Sequence, residues 1–503
     1  MKKCDTKALA DRKANIDERL SQKDKRDMGA VFSGANDHYE VSSRVTATSC
    51  GGIAMIHRMV RKLGLAEEIN KSLNVLKLHV PYHESDHVLN LAYNVVCGGK
   101  TIEDLENLRQ DEAYMNAIGA RRIPDPTTAG DFLRRFTKSD IDALSEALNR
   151  TRLRVWKMQP REFFDMATID IDGTTAPTLG EKKEGCDFNY KGEFGYAPLF
   201  VTMANTNEVI YVHNRSGNRP SNEDAFEFLQ PATEWMRDAG FRRILLRGDT
   251  DFSMTEHLDY WSEQKVNFVF GFDAKSNLVK LAKNVEDEAW SELNRTEKVS
   301  TNAPRAKRSN VKDQVVRDRE YKNLELEDEH YTEIEYQPKK CGRSYRMIIC
   351  RKTIRITKGE LMLFPYSRYF FFITNVDCKE MSAPEIIFQS NKRCNQENII
   401  EQMKNGVGAM NLPSHTMDSN GAYMLIASLA WNLKAWLSLV DSAEPLAAEI
   451  GRMEFRRFVD ALIRIPCQVV RTGRKLILRI LAYARWARYV GECHDRLRDA
   501  TVT

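Results

Sequence analysis

Three short segments carry acids at spacings that invite chemistry. The first is Asp170-Ile-Asp172-Gly-Thr-Thr, which closes a run, 164–172, whose apolar and polar residues alternate toward its end as in a strand. The two-residue period puts Asp170 and Asp172 on one side of it. The second is Arg247-Gly-Asp249-Thr-Asp251, at the end of another short apolar run, 243–246. Neighbouring strands that both end in acids bring carboxylates together, and such a pair is costly unless a cation lies between them. Oxygen donors of this type suit Mg²⁺ or Mn²⁺, and two such ions can clamp the attacking and leaving oxygens of a phosphodiester.

The third segment is Arg393-Cys-Asn-Gln-Glu397-Asn-Ile-Ile-Glu401-Gln-Met-Lys404. On a straight α-helix, at 100° per residue, Glu397 falls about 40° round from Arg393, and Lys404 about 20° back from Glu397. All three then project from one stripe, with Ile399, Ile400 and Met403 on packing faces. A carboxylate flanked by two cations suits a metal and phosphate site, with Glu397 on the metal and Arg393 and Lys404 on DNA oxygens. Read alone, the same segment is an ordinary surface ion-pair helix.

These residues need elements to position them. From about 45 to 150 the apolar spacing is helical: Ile53, Ile56, Met59, Val60 and Leu63, then Val88, Leu91, Val95 and Val96. Thr101 and Asp104 make a capping box, and Thr127 is placed to cap a helix running to Phe136. After 160 the period changes. Strands are expected at 164–172, 196–204 and 209–213, with a polar loop at 180–195 and a turn at Asn205-Thr206-Asn207. A helix capped by Ser221 and Asp224 follows to about 239, then a strand (243–246), a helix (254–264) and a strand (266–270), giving the order β-β-β-α-β-α-β. Residues 285–375 break that rhythm: a basic stretch (Arg305 to Lys322) precedes an acidic one, with strands expected at 331–336, 344–350 and 369–374. Helix resumes from Glu385. The expected divisions are a polar, mobile arm (1–44), a helical DNA-binding domain (45–160), a core in two parts (161–284 and 379–445) around a β-rich insertion (285–378), and basic C-terminal helices (446–503).

Composition narrows the classes. Hydrophobic residues make up 42% and charged residues 29% of the 503, as in a globular protein. The net charge of +4 does not announce nucleic acid, but its distribution is suggestive. Between Arg452 and Arg488 stand ten basic residues (Arg452, Arg456, Arg457, Arg464, Arg471, Arg474, Lys475, Arg479, Arg485 and Arg488) against Glu454 and Asp460, a cluster suited to phosphate contacts. The ten cysteines include no C-x-x-C pair, which fits a reduced, cytoplasmic compartment. Met1 to Met28 is charged throughout, neither a secretory leader nor an anchor. The apolar segment 421–440, broken by Asn432 and Lys434, reads as a helix buried in a core, not a membrane span. His79, His83 and His87, four apart but interrupted by Pro81, read as structural. A lone Trp290 reads as core, with stacking on a displaced base the alternative.

Asp170-x-Asp172-Gly-Thr also resembles the nucleophile motif of haloacid dehalogenase-like phosphatases, which would make Asp170 a phosphorylated nucleophile. The expected hairpin after it argues against their parallel, helix-connected sheet. The stronger resemblance is to the DDE transposases of bacterial insertion sequences. Three antiparallel strands followed by alternating helices and strands, with acids on the first and fourth, resemble their ribonuclease H-like core. Arg393-x3-Glu397-x6-Lys404 resembles the Tyr-x2-Arg-x3-Glu-x6-Lys (Y-R-E-K) motif of one group, in which a β-rich insertion precedes the Glu. Gly99-x-Thr-x-Glu-Asp-Leu and Arg247-Gly-Asp249 are similar to family segments as well. The fold implied is α/β, a ribonuclease H-like mixed sheet with an all-α N-terminal domain and a β-rich insertion. The resemblance implies Asp172, Asp249 and Glu397 as ligands of divalent metal, Mg²⁺ or Mn²⁺ and two ions in all. Asp172 is preferred to Asp170 because the family acid usually precedes a small residue and a Thr. Arg393 and Lys404 are implied on DNA. The motif's Tyr is here Ser390, which can hydrogen-bond a phosphate but cannot stack on a base. Implied partners are double-stranded DNA, both element ends and target, bound by a homodimer near the nucleoid. An inactive DNA-binding relative is the remaining alternative.

Overall fold

A computed structural model describes residues 3–21, 38–42, 45–295, 322–358, 361–441, 443, 445–473, 475–483 and 485–499. The basic stretch Arg305 to Lys322, all but its last residue, and Arg474 lie outside the described residues.

In chain order, α1 is Lys3–Ser21, β1 Thr46–Thr48, α2 Ile53–Lys62, α3 Leu65–Ser72, α4 Glu84–Val96, α5 Leu105–Arg109, α6 Glu112–Ile118, α7 Pro126–Leu133 and α8 Lys138–Lys157. Then come β2 Ala167–Gly173, β3 Ala176–Pro177, β4 Asp187–Phe188, β5 Phe194–Tyr196, β6 Leu199–Met203, β7 Glu208–His213, α9 Ala225–Ala239, β8 Ile244–Gly248, α10 Leu258–Glu263 and β9 Asn267–Phe272. The remainder is α11 Ser276–Lys283, β10 Ser291–Glu292, β11 Lys322–Tyr336, β12 Tyr345–Lys358, β13 Leu361–Thr374, α12 Ala383–Asn391, α13 Cys394–Glu401, α14 Met417–Val440, α15 Leu446–Arg452, α16 Phe455–Phe458, β14 Cys467–Thr472, β15 Lys475–Ile480 and α17 Arg485–Asp499. The class is mixed α/β. Leaving aside the short strands β3 to β5, the order from β2 to β9 is the β-β-β-α-β-α-β read from the alternation of the sequence.

The chain forms two compact units. One comprises 1–163, 174–219 and 398–503; the other comprises 164–173 and 220–397.

The first unit is organised by α14. Met424, Leu429, Leu433, Trp436 and Leu437 are all buried, as are the helix's polar residues Asn420, Asn432 and Lys434. It is long and apolar enough to cross a membrane by composition, but its apolar window is 83% buried inside the protein. Its polar groups are satisfied locally, as buried polar groups must be. The Asn432 side chain accepts from Val209 N and donates to Val209 O, both at 2.9 Å, so a side-chain amide completes strand β7. Lys434 Nζ donates to Met453 O and sits 3.9 Å from the centre of the Trp431 ring.

Burial pushes the Lys434 ammonium down to about 7. An unfolded lysine keeps its proton to about pH 10, so between those values the unfolded chain binds more protons, and stability rises with pH. The expected result is a stability gain on the order of 2 kcal/mol between about pH 7 and pH 9, with much of it lost in Lys434→Met. Melting both proteins across that range checks it; parallel curves would contradict it.

Several elements in this unit depart from the expectations above. The arm at 1–44 is helical over Lys3–Ser21, and Arg12 of that helix donates to Ile480 O at 3.0 Å. The loop at 180–195 carries two of the short strands of the sheet β3-β5-β4. Helix α7 is capped by Asp125, which accepts from Thr128 N, with Pro126 in the first turn, so Thr127 is not the cap. The capping box at Thr101 and Asp104 forms as read. The basic C-terminal segment is not all helix: β14 and β15 form a hairpin, and β1 pairs with β14. Cys467-Gln-Val-Val-Arg-Thr-Gly473 and its return strand are rich in β-branched residues around a positive-φ glycine, which suits a hairpin better than a helix.

The second unit is a mixed sheet in the order β10-β11-β12-β13-β9-β8-β2. β2, β8 and β9 are parallel; β13 joins β9 antiparallel, so the inserted strands extend this sheet. They are longer than expected, and in the added lengths charges pair across strands: Lys352 with Glu329 at 3.0 Å and Arg355 with Glu327. Opposite-charge pairs of this kind support strands that apolar alternation alone does not reveal. Helix α9 starts at Ala225, a turn later than a Ser221 cap requires, with Asp224 at positive φ. Ile386 and Ile387 of α12 pack with Leu245, Val269 and Ile348.

Candidate active site

Asp172 and Asp249 meet at the C-terminal ends of two neighbouring parallel strands, both in the second unit. β2 is buried from Ala167 to Ile171 and emerges at Asp172. It lies beside β8 with Asp170 opposite Arg247, so each strand reaches an acid two residues further on. After Gly248 the chain turns: a Cβ there would stand 2.7 Å from Phe252 Cβ and 3.3 Å from Ile171 Cγ2, closer than packed side chains tolerate. Asp249 caps the short 3₁₀ turn Thr250–Phe252, its Oδ1 accepting from Asp251 N at 3.0 Å. Asp251 itself is exposed.

Between the two aspartates lies one guanidinium. Arg393 Nη1 donates to Asp172 Oδ2 at 3.0 Å, and Nη2 is 3.9 Å from Asp249 Oδ2. Burial pushes the Asp172 carboxyl up to about 6; Arg393 opposes this and the Asp249 charge adds to it. Asp249 is likewise raised by burial, against Arg393, with Asp251 and Asp273 adding. Two adjoining carboxyls that remain raised despite a shared arginine form a place short of positive charge, and that is the property a divalent-cation site needs. The donor set therefore fits metal, with Arg393 standing where a cation would be attracted.

Asp170 is differently placed. It is 1% exposed, and both its oxygens accept from Arg247, Nε at 2.7 Å and Nη2 at 2.8 Å. With both oxygens engaged and solvent excluded, it is not available as a nucleophile, which removes the phosphatase reading. Between Asp170 and Asp172, only Asp172 faces the open end of the strands.

Glu397 does not join the pair. It is exposed on α13, and among the described residues no three His, Cys, Asp or Glu side chains form a metal-holding group. Ser390 lies in the last turn of α12, its carbonyl accepting from Arg393 N at 3.2 Å. Lys404 belongs to the first unit, in a π-helical turn, Gln402–Gly406. The one straight helix assumed for Arg393, Glu397 and Lys404 is not continuous: the α-helix covers Cys394–Glu401, Arg393 precedes it, and Lys404 stands in the π-helical turn that follows.

Other singled-out residues have structural partners. His79 Nε2 lies 3.1 Å from Glu84 Oε1, His83 N donates to Asp86 at 2.8 Å, and the buried His87 stacks on Phe132 at 4.4 Å. Trp290 is 8% exposed, with the Arg351 guanidinium 4.4 Å from its ring centre. In the basic C-terminal segment, Arg457 and Arg485 both pair with Glu449, and Arg488 pairs with Glu492. Sequence reading named Arg247 within its motif but gave it no role, and missed Gln389: Arg247 Nη1 donates to Gln389 O at 3.1 Å and Oε1 at 3.2 Å. The available signal was a cation two residues before Asp249, matching an anion two residues before Asp172.

No curated protein matches the chain. Among solved structures, a cryo-EM structure of the piggyBac transposase synaptic complex with hairpin DNA is similar over 90% of this chain and 88% of that one, at 11% identity and a TM-score of 0.36. A family model described as transposase DDE domain group 1 matches residues 42–502. Spanning nearly all of the sequence, and the fold and paired aspartates within it, that match shows that the chain belongs to the transposase DDE domain group 1 family.

Proposed function

We propose that this transposase binds the terminal inverted repeats of an insertion sequence and catalyses metal-dependent strand cleavage and strand transfer. The observation that carries the reading is Asp172 and Asp249 at adjoining strand ends with one cation shared between them. Asp172 and Asp249 would hold Mg²⁺ or Mn²⁺, two ions in all, and Glu397 is the proposed third ligand. Arg393, four residues before Glu397, already reaches both aspartates, so a modest turn of this segment on DNA would exchange an arginine for a glutamate. Bound metal supplies the positive charge that activates an attacking oxygen and steadies the leaving one.

The chain's own residues do the rest. Asp172 must give up its proton before it can serve as a ligand, and the carboxyl at about 6 does so below neutral pH. Arg393, once drawn off the aspartates, would pair with a phosphate, and Lys404 and the Ser390 hydroxyl are the further phosphate contacts of this reading. The helices of 53–157 and the basic C-terminal segment would grip the ends of the element, in a homodimer that pairs them near the nucleoid.

The test is Mg²⁺-dependent nicking of the element's own end DNA by the wild type and Glu397→Gln. Robust wild-type nicking with at least about a hundredfold loss in the variant is expected, since a metal ligand contributes several kcal/mol. A wild type that binds end DNA without cutting it would favour the inactive DNA-binding alternative. Undiminished nicking by Glu397→Gln would remove residue 397 from the ligand set.

A further inference from the structure

Arg247 touches each segment that delivers an acid to the site. It lies on β8, two residues before Asp249. Its guanidinium grips Asp170, two residues before Asp172 on β2, through both carboxylate oxygens. Its remaining nitrogen donates to the backbone and side-chain oxygens of Gln389, near the end of α12. From there the chain reaches Arg393 in four residues and Glu397 in eight. Asp170 and Arg247 stand opposite one another in the parallel pairing, so the bond fixes register: a one-residue slip would move Asp172 out of line with Asp249 and turn it to the other face. Both partners are buried, at 1% and 3% exposure, so the planar fork is shielded from water and its geometry is rigid.

We propose that Arg247 is the positioning residue of the metal site, a three-way clamp that sets Asp172, Asp249 and the Arg393–Glu397 segment at the spacing that divalent cations require. The inference rests on the metal-site reading above. It is separable from a plain contribution to stability. A buried ion pair replaced on both sides by apolar residues of similar volume is often neutral or stabilising, whereas a clamp cannot be replaced that way.

The experiment is Mn²⁺ titration of the full-length chain, followed by the electron paramagnetic resonance of free Mn²⁺, alongside thermal melting. It compares wild type, Asp249→Ala, Arg247→Lys and the double variant Asp170→Leu/Arg247→Leu. Arg247→Lys keeps the charge but cannot fork between Asp170 and Gln389. We expect its Mn²⁺ affinity to fall about tenfold or more, the size of effect seen when groups that orient metal ligands are removed. The double variant should melt at or above the Arg247→Lys midpoint and still bind Mn²⁺ at least about tenfold more weakly than wild type. Wild-type Mn²⁺ affinity in the double variant, or affinity losses that simply follow melting losses in both variants, would overturn the inference. Asp249→Ala separates the two levels: if it binds Mn²⁺ like wild type, the metal-site reading itself fails. If it loses Mn²⁺ while the Arg247 variants do not, only the clamp fails.

Discussion

Asp249→Ala is expected to slow metal-dependent cleavage of end DNA by at least about a thousandfold, several kcal/mol of transition-state stabilisation. The reason is positional. Asp249 is held at the end of β8 by a capping bond to Asp251 N at 3.0 Å, beside Asp172 at the end of β2, where the register of the two strands places both. Asp172→Ala should match it. On the proposed reading the two acids hold the same cations, so the double variant should be scarcely slower than either single one, since groups that act as a unit are not additive. Binding of end DNA without metal should persist in all three, as neither aspartate contributes positive charge to a phosphate contact. Initial nicking rates and a gel-shift series decide it. A double variant slower by the product of the single effects would show that the aspartates work independently.

Glu208→Ala is expected to cost the first unit about 3–5 kcal/mol, the penalty for leaving one half of a buried ion pair behind. Glu208 is fully buried and has four partners. Oε1 accepts from Arg152 Nε at 2.9 Å and Trp436 Nε1 at 2.7 Å. Oε2 accepts from Trp156 Nε1 at 2.8 Å and Thr206 Oγ1 at 2.6 Å. Its removal strands the charge of a guanidinium that is 1% exposed and takes the carboxylate acceptor from two indole N–H groups. A fall in the melting midpoint of about 5–8 °C follows from that cost in a unit of this size. Arg152→Met/Glu208→Met, which removes both charges, should recover much of it. A Glu208→Ala midpoint within about 2 °C of wild type would contradict the account.

The sequence by itself determined the kinds of elements and their order through the core, because alternation and helical spacing are local properties of 5–15 residues. The strand ending at Asp172, the one leading into Asp249, the hairpin turned by Asn205-Thr206-Asn207 and the buried character of 421–440 could all be read that way. Family motifs pointed to the same acids. The tertiary structure decided what depended on partners far along the chain. Asp170 and Asp172 share a side by the two-residue period, and only the pairing of β2 with β8 buries the first against Arg247, 77 residues away, and leaves the second at the open end. The added length of β11 and β12 carries cross-strand charge pairs such as Lys352 with Glu329. The hairpin of β14 and β15 was hidden by basic residues that suit a phosphate-facing helix equally well. The stripe through Arg393, Glu397 and Lys404 assumed a single straight helix, and the π turn at Gln402–Gly406 ends it early. Local pattern marks which residues could carry chemistry; strand register and a single buried arginine decide which carboxylate is enclosed and which stands at the open strand ends.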